Sequence, residues 1–404
     1  MKTKRLLAAL TASALVATLF AGCGGSGSGS DNAAADSGSA DTSSSASAGK
    51  TTVNVWATGS DNVRQIFETL VEDFNTNSEY KDTYEAKLNF LLSGTGGATL
   101  PDMLISSYKA NQEKTDFDVM DLGDEDVTKV LSMVGEDAIQ PLDFSKIPNA
   151  EKVSAKPIAL EGKLQPYRGT TVVLAYNSDK IPENEVPTTY DELEQWIKDH
   201  PGRFVYNTPG TGGAGDSFAR TTVYNLIDDP SALTSSDPKW MEQWDAGFEK
   251  LKELHPYMYK SGGTIVYPNK NQGALDLLTQ GEIDMCPMWA DMVLSQRKAG
   301  IVPESVKITT IQPSFQGSVQ GICVPASSSN PEGGFAFINY ILSADAQTLL
   351  VQQMAAIPVV TDGVDLSGAE DLMNLDTSKF RTMGIGDLGT DFNARWDDEI
   401  GTLG

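Results

Sequence analysis

Residues 51 to 57, Thr-Thr-Val-Asn-Val-Trp-Ala, alternate polar and apolar side chains and are rich in β-branched residues, the pattern of a half-buried strand. After the turn Thr58–Asp61, apolar residues recur at Val63, Ile66, Phe67, Leu70, Val71 and Phe74, which is helical spacing. A second strand is predicted near Ala86–Leu92, followed by a glycine-rich loop at Gly94–Gly97, and Pro101–Ser107 reads as a short buried strand. Further on, Thr171–Tyr176, Arg203–Tyr206, Ile283–Met288 and Ile322–Pro325 read as strands. Helices are predicted from Thr189, with Glu192 three residues on as in a capping box, and from Asp216 or Ser217 through Leu226. Gln272–Gln280 and Pro331–Leu342 complete the helices. Strands alternating with helices predict an α/β body with parallel sheets.

The first 50 residues break this pattern. Lys2, Lys4 and Arg5 precede an apolar run, Leu6–Phe20, which is short for a membrane span and placed as an export signal. The ending Ala21-Gly22-Cys23 resembles a bacterial lipobox, although Phe20 departs from the usual Leu. That resemblance implies a signal peptide over residues 1–22 and diacylation of Cys23; ordinary cleavage near Ala21 is the alternative. Gly24–Lys50 holds only small and polar residues and one lysine, too little apolar surface to offset its ordering entropy. Residues 23–50 are therefore expected to be a disordered tether whose ends lie roughly 30 Å apart.

From Thr51 the length suggests two domains. The net charge of −25 disfavours nucleic acid and anionic lipid as partners, and chiefly serves solubility. Only two histidines occur, His200 and His255, so no His-rich metal site can be built, and no cofactor is expected. Export permits a disulfide between Cys286 and Cys323, but both lie in apolar segments that equally suit buried thiols. The loop Gly210–Gly215 lacks the Lys-Ser/Thr of a phosphate loop and the spacing of a dinucleotide fingerprint. There is no nucleophile elbow and no zinc-protease motif.

Four stretches, taken in order, carry a family resemblance: Pro101–Ser107, Gly162–Asn177 ending in Tyr-Asn, Pro187-Thr-Thr-Tyr-Asp-Glu-Leu193, and Gln280–Trp289 through Ser343–Gln347. The chain resembles the bacterial extracellular solute-binding proteins of ABC importers. The resemblance implies a two-lobed, periplasmic-binding-protein-like (type II) α/β fold with crossing hinge strands. Residues 51–168 and 321–343 would form one lobe, 169–320 and 344–404 the other. Crossings are expected near Arg168–Leu174, Ser318–Val324 and Ser343–Gln347. It also implies a non-enzymatic monomer on the outer face of the cell membrane, held by its lipid anchor, which gives a small solute to a membrane permease. A surface-anchored hydrolase and a sensor or adhesin subunit are the competing readings.

Ligand would sit between the lobes, beyond the carboxyl ends of the strands. Trp56, Thr58 and Ser60 end the first strand, Ser107 and Tyr108 end the Pro101 segment, and Tyr167 and Arg168 lie at the first crossing. Trp56 is equally a core aromatic, and Arg168 equally an inter-lobe contact. Gly213, Asp216 and Ser217 sit where a loop meets a helix, so free backbone N–H groups can bind an oxyanion or hydroxyl, with Asp216 alternatively the helix cap. Trp289 matches a family position whose aromatic stacks on ligand, and Asp291 follows two residues later. Aromatic faces with hydroxyls and carboxylates suit sugars, and also cations such as polyamines or thiamine-like compounds. Carbohydrate is the class favoured here.

Overall fold

The computed structural model describes residues 49–93, 97–154, 162–367, 369–375 and 380–403. The signal segment, Cys23 and all but the last two tether residues lie outside these, as does most of Gly94–Gly97. The first half of the body runs β1 (Thr51–Gly59), α1 (Asp61–Thr76), β2 (Tyr84–Leu92), α2 (Leu100–Lys109), β3 (Val119–Leu122) and α3 (Asp124–Val134). Alternation works as expected in β1, whose Val53, Val55 and Ala57 are buried. Helix α1 turns Val63, Ile66, Phe67, Leu70 and Phe74 inward. Next come β4 (Gln165–Asn177), α4 (Tyr190–Asp199), α5 (Ala214–Tyr224), α6 (Asp245–Leu254), the hairpin of β5 (Lys260–Ser261) and β6 (Thr264–Ile265), and α7 (Lys270–Thr279). The chain continues through β7 (Met285–Trp289), α8 (Ala290–Lys298), β8 (Val306–Thr309), β9 (Gly317–Cys323), α9 (Pro331–Ile341), α10 (Ala344–Met354), β10 (Ile357–Pro358), α11 (Glu370–Met373) and α12 (Leu388–Trp396).

Strand β4 carries the architecture. Its first half pairs antiparallel with β9, from Gln165 opposite Ile322 to Thr171 opposite Gly317, and Gly169 also pairs with Ile357 of β10. From Val172 onward it pairs instead with β7 and β8. One continuous strand thus belongs to two sheets, and the change of partners at Thr171/Val172 marks the hinge between two lobes. In the first lobe β2, β1 and β3 are parallel, and the crossing strands β9 and β4 continue the sheet beside β3 as antiparallel strands. The sheet is mixed rather than wholly parallel. Because β4 is covered on both faces, residues 165–176 are all buried, which explains the apolar run Val172–Ala175.

Each lobe has its own interior. The first gathers Val55, Phe67, Phe74, Phe337 and Leu350 on one side of its sheet, and Leu104, Met120, Val127 and Ile139 on the other. The second gathers Trp196, Phe204, Phe218, Trp244, Phe248 and Phe392, with a further cluster around Leu275, Cys286 and Met288. Cys286 and Cys323 are buried free thiols, one in each lobe's core. No single helix among the described residues is long and apolar enough to cross a membrane.

Several sequence expectations are corrected. Pro101–Ser107 is part of a helix, α2: Thr99 accepts from the Asp102 N–H, Asp102 reaches back to Thr99, and proline sits in the first turn. The strand assigned there is instead β3, Val119–Leu122. Residues 203–206 form only isolated bridges, from Phe204 to Met258 and Met285. No crossing occurs at Ser343–Gln347, since Ser343 caps α10 and Ala346, Leu350 and Met354 pack into the first lobe's core. The segment from 344 to 360, expected in the second lobe, therefore belongs with the first. The chain returns to the second lobe later, and Met383, Ile385 and Leu388 join that lobe's core.

Candidate functional site

Three chain reversals meet at the carboxyl ends of the strands, where an open α/β sheet leaves room for a ligand. β3 ends at Leu122 and turns at Gly123 into α3. β7 ends at Trp289. The extended segment after Phe204 runs through Gly210–Gly213 into α5. Together with the start of β9 they enclose a cleft of about 400 Å³ between the lobes. That volume suits a small solute.

On the second-lobe side, Gly213 caps α5 in the left-handed region, with φ +94°. A Cβ there would stand 3.0 Å from the Trp289 ring, so glycine lets the loop lie against the indole. The indole N–H of Trp289 donates to the Gly212 carbonyl at 2.8 Å, which fixes the ring's orientation. Gly215 is equally constrained, since a Cβ would fall 1.7 Å from the Asn207 carbonyl oxygen. Asp216 does not cap the helix. Its two oxygens each accept the Gly210 N–H at 2.9 Å, and one also accepts from Asn393 at 3.0 Å. Asp216 thereby folds the glycine loop back on its own helix. Arg220, only 9% exposed, stands 3.5 Å from Asp216, and its Nε has no partner.

The first-lobe side is acidic. Asp124, Glu125 and Asp126 form the first turn of α3, and all three face the cleft. Asp126 accepts the Gly123 N–H at 3.2 Å, while Asp124 Oδ1 is buried without a partner. Burial raises the pKa of all three. Glu125 is exposed as a residue, yet the surrounding protein strips enough water from its carboxylate to raise it, with Arg220 and a backbone hydrogen bond from Ile385 pulling the other way. Carboxylates that lack water are stabilised by any cation or strong donor that enters. The floor is Gln316, Ser318 and Gln320 around β9, with Thr382 at the rim.

Of the residues expected in the site, Gly213, Asp216 and Trp289 line this cleft. Ser217 is fully buried, its hydroxyl accepting the Gln316 N–H at 2.8 Å. Trp56 packs edge-on against Phe117, 5.2 Å away, and donates to the Asp116 carbonyl. Ser107 is buried on α2 and donates to Leu104, and Tyr108 packs into the same first-lobe cluster. The other five join a hinge network. Tyr167 donates to Asp121 at 3.0 Å and accepts from Arg168 Nε at 3.0 Å. Strict strand alternation would send these neighbours to opposite faces, but a register shift between Pro166 and Arg168 brings them together. Burial costs Arg168 hydration, yet Tyr167, Asp121 and Asp291 keep its guanidinium charged. Thr58 donates its hydroxyl to Leu91 and its backbone N–H to Asp121. Ser60 and Asp291 meet through Asn62.

Sequence reasoning missed Asp124, Glu125, Asp126 and Arg220. A signal was present for the first three: glycine followed by three acidic residues, directly after an apolar strand, marks a helix start at a strand's carboxyl end. Arg220 had no comparable signal, because only the fold of α5 turns it toward the cleft. Among the described residues, no group of three or more His, Cys, Asp or Glu side chains stands ready to hold a metal ion. A second cavity, of about 300 Å³ around Arg297 and Gln352, shares no residue with the cleft.

A hinge of shared strands with a polar cleft between two lobes defines the class of two-lobed, periplasmic-type binding proteins. The family model of the bacterial extracellular solute-binding proteins matches residues 102–373, and the chain belongs to that family. Among solved structures, it is similar to an ABC transporter substrate-binding protein from Bradyrhizobium japonicum, with TM-score 0.63 and 18% identity, covering 87% of this chain and 100% of that one. It is also similar to the apo ferric ion-binding protein A of Pasteurella haemolytica, with TM-score 0.62 and 14% identity over 87% and 98% of the two chains. An ABC transporter protein from Clostridium perfringens gives TM-score 0.56 and 16% identity over 86% and 98%. At these identities the likeness is one of fold. No curated protein matches the sequence.

Proposed function

We propose that this chain is the lipid-anchored, extracytoplasmic solute receptor of an ABC importer, which captures a small polar solute by hinge closure and delivers it to a membrane permease. The observation that carries this reading is the cleft itself: Trp289, fixed by its bond to Gly212, shares it with the acidic first turn of α3 across the lobe boundary. A solute touching both sides binds fully only when the lobes are together, so binding and closure are coupled.

The sequence favours carbohydrate, whose C–H faces stack on an indole while hydroxyls donate to carboxylates. The acidic turn of α3 moves the balance toward a solute bearing positive charge, of polyamine or thiamine-like chemistry. Such a cation would meet the indole face and restore charge to carboxylates that burial holds protonation-prone. Among the described residues, Arg220 is the cation that lines the cleft, and it stands 3.5 Å from Asp216. The similar Pasteurella protein is named for ferric ion; here the indole face beside the acidic turn favours an organic cation.

A thermal-shift screen of the mature protein against polyamines, thiamine, sugars and oxyanions tests the class. The expected result is a shift with an organic cation that weakens as salt rises. Stabilisation by sugars alone, independent of salt, restores the carbohydrate reading. Stabilisation by none of these solute classes would contradict the receptor reading.

A further inference from the structure

Asp291 opens α8, is 6% exposed, and has both carboxylate oxygens occupied. Oδ1 accepts from the hydroxyl of Thr170 on the hinge strand at 2.7 Å. Oδ2 accepts from the amide of Asn62, on α1 of the opposite lobe, at 3.0 Å. Asn62 is not free to turn its oxygen toward that carboxylate: its own Oδ1 accepts from the Ser60 hydroxyl at 2.8 Å, which leaves Nδ2 facing Asp291. The chain Ser60–Asn62–Asp291–Thr170 therefore ties the end of β1 to the first turn of α8 through the hinge. Neither Asn62 nor Asp291 lines the 400 Å³ cleft; Asn62 borders a separate cavity of about 90 Å³ that adjoins it at Gly212.

We infer that the Asn62–Asp291 bond is a clasp between the lobes, which sets solute affinity without touching solute. The inference rests on the hinge-closure reading above. A carboxylate acceptor makes this bond stronger than a neutral one, and Thr170 keeps the carboxylate oriented when the lobes part. Only the Asn62 half is lost on opening, so the clasp biases the open–closed equilibrium while the fold of each lobe stays intact. Any solute that binds the closed form gains apparent affinity in proportion to the closed fraction. Asn62 and Asp291 are thus positioning residues for capture.

Small-angle scattering of the solute-free mature protein tests this, with wild type, Asn62→Ala, Asn62→Asp and Asp291→Ala compared at neutral pH. Wild type should scatter as the compact form. Asn62→Ala and Asp291→Ala should shift the population toward open by about tenfold, raising the radius of gyration. Asn62→Asp places a second carboxylate against Asp291 and should open the protein further than Asn62→Ala. That charge-ordered series is not expected from loss of packing. Circular dichroism should be unchanged in the Asn62 variants, because position 62 lies on the partly exposed first turn of α1. An open wild type, or Asn62 variants as compact as wild type, would overturn the clasp. Either result leaves solute binding itself to be decided separately by the thermal-shift screen.

Discussion

Asp121 offers a quantitative check on the hinge network. It lies in β3, is wholly enclosed, and accepts from Tyr167 and from the Thr58 backbone N–H. Burial raises its pKa to about 6, with Arg168 and the Tyr167 hydrogen bond pulling it back. In the unfolded chain the value is roughly 3.9. Between these two values the folded protein holds a proton that the unfolded chain has released. Stability from this group is therefore greatest below the unfolded value, and falls as pH rises through the window that closes at about 6. Each pH unit costs about 1.4 kcal/mol, so the whole window costs about 3 kcal/mol. Asp121→Asn keeps the shape and removes the titration. The assay is urea unfolding of both proteins from pH 4 to pH 7. The difference, wild type minus variant, should fall by about 3 kcal/mol across that range. Titrating groups that do not interact with Asp121 cancel in the difference. A difference that stays flat, or grows with pH, would refute the dehydrated-hinge picture.

Gly213→Ala should destabilise the protein by about 2 kcal/mol, because it places an L-residue in the left-handed region and a methyl 3.0 Å from Trp289. Urea midpoints with tryptophan fluorescence check it, and a change under half that size would mean the loop yields freely. Cys23→Ser should move the protein from the membrane fraction to the medium, as read by fractionation and by the loss of two acyl chains in the mass spectrum; retention on the membrane would contradict the lipid anchor.

Much of the fold was readable because binary pattern and local capping agreed. Alternation in β1, the 3.6-residue period of α1 and the Thr189–Glu192 box of α4 each appear where the sequence put them. Pro101–Ser107 failed because a short apolar run has no decisive period. The box of Thr99 and Asp102 was the arbiter, and it went unread. The site was less legible. Thr58, Ser60, Tyr167, Arg168 and Asp291 all lie near the lobe boundary, but hydrogen bonds to other groups of the protein, among them Leu91, Asn62, Asp121 and Thr170, occupy them. Which polar residues face a ligand and which face each other is decided by the β4 register shift and by lobe packing, and neither is local. Gly213 and Asp216 line the cleft as a local feature, a glycine-rich helix start, suggested, whereas Trp289 was picked out by the family resemblance.

Titration calorimetry of wild type and Trp289→Ala, using the solute selected by the thermal-shift screen, asks most directly whether that solute is gripped between the lobes. Loss of the indole face should weaken binding by about thirtyfold, with the variant's unliganded fold intact by circular dichroism. Equal affinity in the two proteins would place the solute elsewhere and contradict capture in this cleft.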